Sequence, residues 1–229
     1  WKETDISVPL PNKFNSLSSS KVYFVDFPGA KQSEIRIGST GLAFTDPDYF
    51  KATVMNYKLG GSFNGIVNLI LREEKGYTYG ARTSFTGSDF PGYFVASAGV
   101  QSDATLESAQ IFRDEMIKYR NGISTEDLQF TKDALIKSNA LRYETIGALR
   151  GMLSQIAWYN LPFDYVKDQE RQISDMTLEQ HKTLAQKYIH PDKMIYLIAG
   201  DKATQMEKLK ELGFGDPILL DKDGNIQSN

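Results

Sequence analysis

The order of elements along the chain predicts an α+β fold, with a mainly antiparallel sheet and helices packed on one of its faces. Three observations carry this expectation. Alternating, strand-like stretches and a hairpin fill most of the first hundred residues, enough for three or four antiparallel strands. The middle of the chain is then dominated by apolar residues at helical spacing. Finally, Lys193 to Ala199 (KMIYLIA) is an apolar run of strand length and reads as one late, buried strand.

Residues 1–20, with Pro9, Pro11 and the run from Ser16 to Ser20, read as a lead-in segment or inter-domain linker. Lys21 to Phe27 (KVYFVDF) alternates and is expected to be a strand. Pro28 and Gly29 turn it into a second strand, Ser33 to Leu42, with Ile35 and Ile37 on one face and Glu34 and Arg36 on the other. Asp46-Pro47-Asp48 carries the signature of a helix start, and that helix is expected to run to about Leu59. Thr78–Thr86 and Tyr93–Val100 form the hairpin. Thr105 to Arg120 is a helix stopped by Asn121-Gly122, and Ser124 with Asp127 opens the next, reaching about Tyr143. Ile146–Tyr159 follows, Leu161-Pro162 breaks it, and a short helix spans about Tyr165 to Ile173. Thr177 with Gln180 opens another that stops before Pro191. Ala203–Leu212 reads as a last helix and Pro217–Leu220 as an edge strand. Residues 221–229 are a tail, in which Asp221-Lys222-Asp223-Gly224 is a polar turn: its glycine comes too early for a calcium loop, and no Glu closes it.

The stretch Gly60–Gly80 (GGSFNGIVNLILREEKGYTYG) organises the chain. Ser62 reads as a helix cap, with Phe63, Ile66, Val67 and Ile70 as a buried stripe. At about 100° per residue Arg72 lies nearly opposite Phe63, so its guanidinium is expected to point away from that stripe. Gly76 is placed to end the helix in the left-handed conformation, and from Tyr77 to Phe85 the period becomes two. The turn at Gly76 then brings Arg72 and Tyr79 within reach of one another. Tyr77 and Tyr79 fall on one strand face and Arg82 on the other, as a weaker candidate for a substrate contact. The bland reading of the same residues is a helix-end Arg favourable to the dipole, beside a strand Tyr packed in a core.

The Arg-(six residues)-Tyr arrangement REEKGYTY does not stand alone. VDFPG with AKQSEIRIG, DPDYF, the LGG at the end of the first helix and the closing IAGD accompany it in order. Together they resemble the C-terminal, non-zinc domain of the pitrilysin/insulinase-type zinc metallopeptidases, a group that includes the mitochondrial processing peptidase. The resemblance covers nearly everything from Lys21 to Asp201. It implies a single pitrilysin-type peptidase domain over residues 21–220, partnered by a zinc-binding domain on the same or another chain. It also implies that Arg72 and Tyr79 reach across a closed chamber toward the peptide substrate, positioning it and stabilising the carbonyl oxygen under attack. Tyr79, rather than Tyr77, stands at the family position. Zinc and a base-acting Glu belong to the partner, and no cofactor is expected on this chain. The chain starts at Trp1 rather than Met, which we read as a piece of a longer protein. Family habit suggests a bacterial periplasm or envelope.

Other chemistry is poorly supported. There are two histidines, His181 and His190, nine residues apart and outside any His-x-x-Glu-His sequence. We read His190 as a helix-end dipole partner and His181 as a solvated side chain. Glu73 and Glu74 lack the spaced partner that acid/base work requires. Ser62 lacks the serine-hydrolase elbow, and the Gly60-Gly61 pair lacks a phosphate-loop lysine. A net charge of −3 with no basic block argues against nucleic acid, and no apolar run approaches the ~20 residues of a membrane helix. With no cysteines the chain has neither disulfides nor thiolate metal sites. Two functions follow: the substrate-clamping half of a zinc peptidase, or a catalytically inactive scaffold or interaction domain of the same fold.

Overall fold

The computed structural model of the chain describes residues 17–227. Most of the expected lead-in segment (residues 1–16) and the last two tail residues (228–229) lie outside the described residues. Six strands form one sheet: β1 (Lys21–Asp26), β2 (Gln32–Thr40), β3 (Thr78–Thr86), β4 (Tyr93–Gln101), β5 (Ile195–Gly200) and β6 (Ile218–Leu220), in the order β3-β4-β2-β5-β1-β6. The helical layer comprises α1 (Tyr49–Asn56), α2 (Ile66–Asn68), α3 (Thr105–Tyr119), α4 (Thr125–Arg142), α5 (Ile146–Tyr159), α6 (Tyr165–Asp175), α7 (Leu178–Tyr188) and the short α8 (Lys202–Gln205).

The sheet is mixed rather than antiparallel throughout. β3, β4, β2 and β5 pair antiparallel, whereas β1 pairs parallel with both β5 and β6. Sequence order hides this, because β1 and β2 are neighbours in the chain but not in the sheet. β5 returns after the helices and inserts between them, antiparallel to one and parallel to the other. Strand alternation then sorts the two faces. Phe24, Ile35, Ile37, Phe94, Ala96, Tyr196 and Ile198 are buried on one face, where Met55 of α1, Phe112 and Met116 of α3 and Ala185 of α7 join the same core. Glu34 and Arg36 project from the other face and pair with each other at 2.7 Å.

Local start signals are met at two helices. Thr177 and Gln180 exchange both capping-box hydrogen bonds at the head of α7. At α4 the Ser124 hydroxyl accepts the Asp127 N–H at 3.0 Å. The Asp46-Pro47-Asp48 signal is displaced. Asp46 accepts the Asp48 N–H within a turn, and α1 begins only at Tyr49. Asp48 makes no cap hydrogen bond because its carboxylate is engaged elsewhere, accepting from Lys187 and Tyr188 at 2.8 Å each and tying the head of α1 to the end of α7. That contact holds the Asp48 carboxyl below its usual pKa. The expected Ala203–Leu212 helix resolves into α8 and a separate 3-10 turn, Glu207–Leu212. Asp221 closes the polar turn anticipated in the tail by accepting from the backbone of Asp223 and Asn225.

Candidate functional site

The site is built where the helical layer meets the edge strand β3. After α1 the chain widens into π-helical turns over Tyr57–Gly61 and lies close against β3. A Cβ on Gly60 would stand 2.7 Å from the Thr83 nitrogen, so only glycine permits this approach. Beside it the buried Asn56 amide donates to the Thr83 carbonyl at 2.9 Å and accepts the Thr83 hydroxyl at 2.6 Å.

The next helix starts later than its sequence suggests. Ser62 is not a cap: among the described residues its buried hydroxyl has no hydrogen-bond partner, so it accepts no N–H from the turn that follows. Gly65 occupies the capping position, α2 follows, and the chain widens again into π geometry over Leu69–Glu74. Phe63 therefore precedes the helix instead of joining its buried stripe, and it is 63% exposed. This overturns the expected geometry around Arg72. Its guanidinium carbon lies 4.5 Å from the centre of the Phe63 ring, a cation–π contact, and its Nε is 3.5 Å from Glu73. Angles counted at 3.6 residues per turn failed because Phe63 is outside the helix and the turn carrying Arg72 is not α-helical.

Gly76 ends the helix with φ +68°, the left-handed conformation expected of it. The strand that follows contains a β-bulge. Thr78 pairs with Val100 and Ala81 with Ala98, so three steps along β3 match two along β4. Ala81, Thr83 and Phe85 are buried; strict alternation continued backwards would have turned Tyr79 inward with them. The extra residue breaks that alternation, and Tyr79 is 91% exposed.

Tyr77 and Tyr79 do not share an environment. Tyr77 packs against the core edge and donates its hydroxyl to Glu107 at 2.7 Å, and Glu107 also accepts from Lys75 at 2.7 Å. The Glu107 contact raises the Tyr77 pKa; Lys75 first, and Tyr77 second, lower that of Glu107. Arg82 is exposed on the strand, in register with Ser97. Arg72 and Tyr79 thus stand on adjoining elements, with Arg72 paired to Phe63 and Glu73 rather than to Tyr79. Neither is sealed within the core.

One residue of the site escaped sequence reasoning. Asn68 is buried, its Nδ2 donates to the Phe63 carbonyl at 2.7 Å, and its Oδ1 accepts the Ala81 N–H at 2.9 Å. The available signal was an Asn inside the apolar run IVNLIL, where a short amide is a poor helix former unless it has a partner.

The histidines do not suit zinc. His190 lies at the end of α7 with Nε2 3.0 Å from the Lys187 carbonyl, in keeping with a helix-end role. His181 is not solvated. It is buried, with Nε2 3.0 Å from the Tyr119 hydroxyl and 3.2 Å from the Met55 carbonyl, and burial pushes its pKa down to about 4. Among the described residues no three His, Cys, Asp or Glu side chains are grouped to hold a metal ion. No helix there is long and apolar enough to cross a membrane.

Comparison with known proteins bears on the family and the fold. The family model "Peptidase M16 inactive domain" matches residues 3–135. An uncharacterised zinc protease of Streptomyces coelicolor is 27% identical over 131 residues, 56% of this chain and 28% of that protein. A crystal structure of a peptidase M16 inactive domain from Pseudomonas fluorescens superposes with a TM-score of 0.76 at 27% identity, covering 86% of this chain and 48% of that one. A protease from Helicobacter pylori shares the fold, with a TM-score of 0.73 at 15% identity over 86% of this chain and 48% of its own. The chain thus spans less than half the length of each of these relatives.

Proposed function

The chain belongs to the peptidase M16 inactive-domain family, and from that premise we propose that it is the non-metal half of a zinc metalloendopeptidase. A partner domain supplies the zinc; this chain closes over an extended peptide and contributes Arg72 and Tyr79. The observation that carries the reading is the bulge in β3, which lifts a 91% exposed phenol off an otherwise buried register, on the element next to the helix end that bears Arg72. Leaving a large aromatic hydroxyl in solvent gains little for folding, whereas it gives the chain a free O–H donor.

The roles follow from the donors. The Tyr79 O–H and the Arg72 guanidinium are aimed at a peptide carbonyl, whose oxygen gains charge as the bond is attacked. A donor placed at such an oxygen lowers the barrier by ~2.7–4 kcal/mol, about 10²–10³ in rate. Phe63 under the guanidinium limits the Arg72 rotamers, so less freedom is lost when the peptide arrives. Arg82 remains a weaker candidate contact on the same strand.

The test supplies the zinc-bearing half and measures peptide hydrolysis. Tyr79→Phe and Arg72→Ala are each expected to lower kcat/KM by about 100-fold while binding of the two halves is retained. Unchanged kcat/KM in both variants would overturn the roles and leave the scaffold reading in their place.

A further inference from the structure

Asn68 lies four residues before Arg72, close to one turn away on the same helical segment. It is 3% exposed, and both ends of its amide are used. The Nδ2 group donates to Phe63, whose ring lies under the Arg72 guanidinium. The Oδ1 atom accepts from Ala81, the residue at which regular pairing resumes after the bulge that exposes Tyr79. One short, planar side chain is therefore fastened to the backbone beneath one candidate donor and to the backbone beside the other.

We propose that Asn68 is a positioning residue that couples Arg72 to Tyr79, setting the Phe63 platform and the β3 bulge through a single buried amide. This rests on the roles assigned above to Arg72 and Tyr79. Its chemistry is specific. The site demands one donor and one acceptor within a side chain three bonds from the backbone, and asparagine alone among neutral residues offers both at that length. Aspartate keeps an acceptor for the Ala81 N–H but offers the Phe63 carbonyl no N–H. Leucine matches the shape and satisfies neither partner. Catalytic donors tolerate little displacement, since a misplacement of about 1 Å can cost about 100-fold in rate.

The coupling is read first on the chain by nuclear magnetic resonance. In Asn68→Leu the Ala81 amide is expected to exchange faster, and the Arg72 Nε–H signal to lose the ring-current shift imposed by Phe63. In Asn68→Asp, at pH 7.5, the Arg72 signal is expected to move while Ala81 stays protected. Unmoved Ala81 and Arg72 signals in a folded Asn68→Leu protein would overturn the clamp. With the zinc-bearing half present, Asn68→Leu is expected to lose about 10- to 100-fold in kcat/KM. Placed on an Arg72→Ala/Tyr79→Phe background, the same change is expected to cost the same thermal stability but less than about twofold further activity, because its effect runs through those two side chains. A full multiplicative loss on that background would reduce Asn68 to a structural residue. If Arg72→Ala and Tyr79→Phe themselves leave hydrolysis intact, the functional reading fails, while the resonance measurements still decide the clamp.

Discussion

At the scale of single residues, His181 is held where an imidazole resists a second proton. The Tyr119 hydroxyl donates to the Met55 carbonyl at 2.6 Å, and His181 Nε2 faces both oxygens. An N–H on Nε2 suits that pair of acceptors and leaves Nδ1 as a bare acceptor, buried without a partner among the described residues. Protonation would add an N–H there with nothing to receive it, which agrees with a pKa pushed down to about 4 by burial. The folded protein therefore binds this proton less readily than the unfolded chain, whose imidazole titrates near 6.5. The contribution to stability is complete above pH ~6.5 and is lost as the pH falls toward 4. Between pH 7 and pH 5 it amounts to about 2 kcal/mol. Urea denaturation across that range should show this decline, and a folded His181→Gln protein should show it reduced by about the same amount. Parallel pH profiles for the two proteins would refute the assignment. The signal for burial was present in the sequence. His181, Leu184, Ala185 and Tyr188 recur at i, i+3, i+4 and i+7, so the helical period itself places the ring on the apolar stripe of α7.

At the scale of elements, two glycines in the central stretch are required for different reasons. Gly76 has φ +68°, and a Cβ there would meet nothing within 4 Å, so Gly76→Ala costs backbone strain alone, about 1 kcal/mol. Gly60 lies under β3, and a Cβ would press within 2.7 Å of the Thr83 nitrogen and 2.8 Å of a Val67 methyl. Gly60→Ala is expected to cost more, toward the upper end of the ~1–3 kcal/mol of overpacking, and to disturb the Asn56–Thr83 pair. Urea midpoints of the two variants test the order; a Gly76 variant less stable than the Gly60 variant would contradict it. The same contrast explains what was legible in sequence. A left-handed stop and a Thr177/Gln180 capping box are local chemistry, written in a few adjacent residues. The π turns and the bulge are not, because each inserts a residue that a fixed period of 3.6 or 2 cannot accommodate, and tertiary contacts hold them in place. Arg72 and Tyr79 are proposed from a motif, whereas the places of Phe63 and Asn68 beside them depend on where those irregularities fall.

At the scale of the whole molecule, α5 stands apart from the core. Its sequence IGALRGMLSQIAWY carries Arg150 as its one charge, yet none of its residues is buried. Ile146 is 87%, Leu153 58% and Trp158 72% exposed, with Phe163 at 92% beyond the helix end. Tyr143, Leu149, Met152, Phe163 and Val166 line an open pocket there. Large apolar side chains left in water at this density favour self-association. It contributes little to folding, because side chains that remain hydrated give up almost no transfer free energy on unfolding. Ile146→Lys and Leu153→Lys are therefore each expected to alter the free energy of unfolding by less than ~0.5 kcal/mol, the ordinary surface range. Light scattering at increasing protein concentration should show that the doubly substituted chain associates less than the parent. Phe112→Ala provides the opposite case, since Phe112 is fully buried against the sheet and its truncation is expected to cost ~3–5 kcal/mol. A loss of that size in the α5 variant would mean that the helix is structurally integrated after all, and unchanged association would mean that this surface is not what draws chains together.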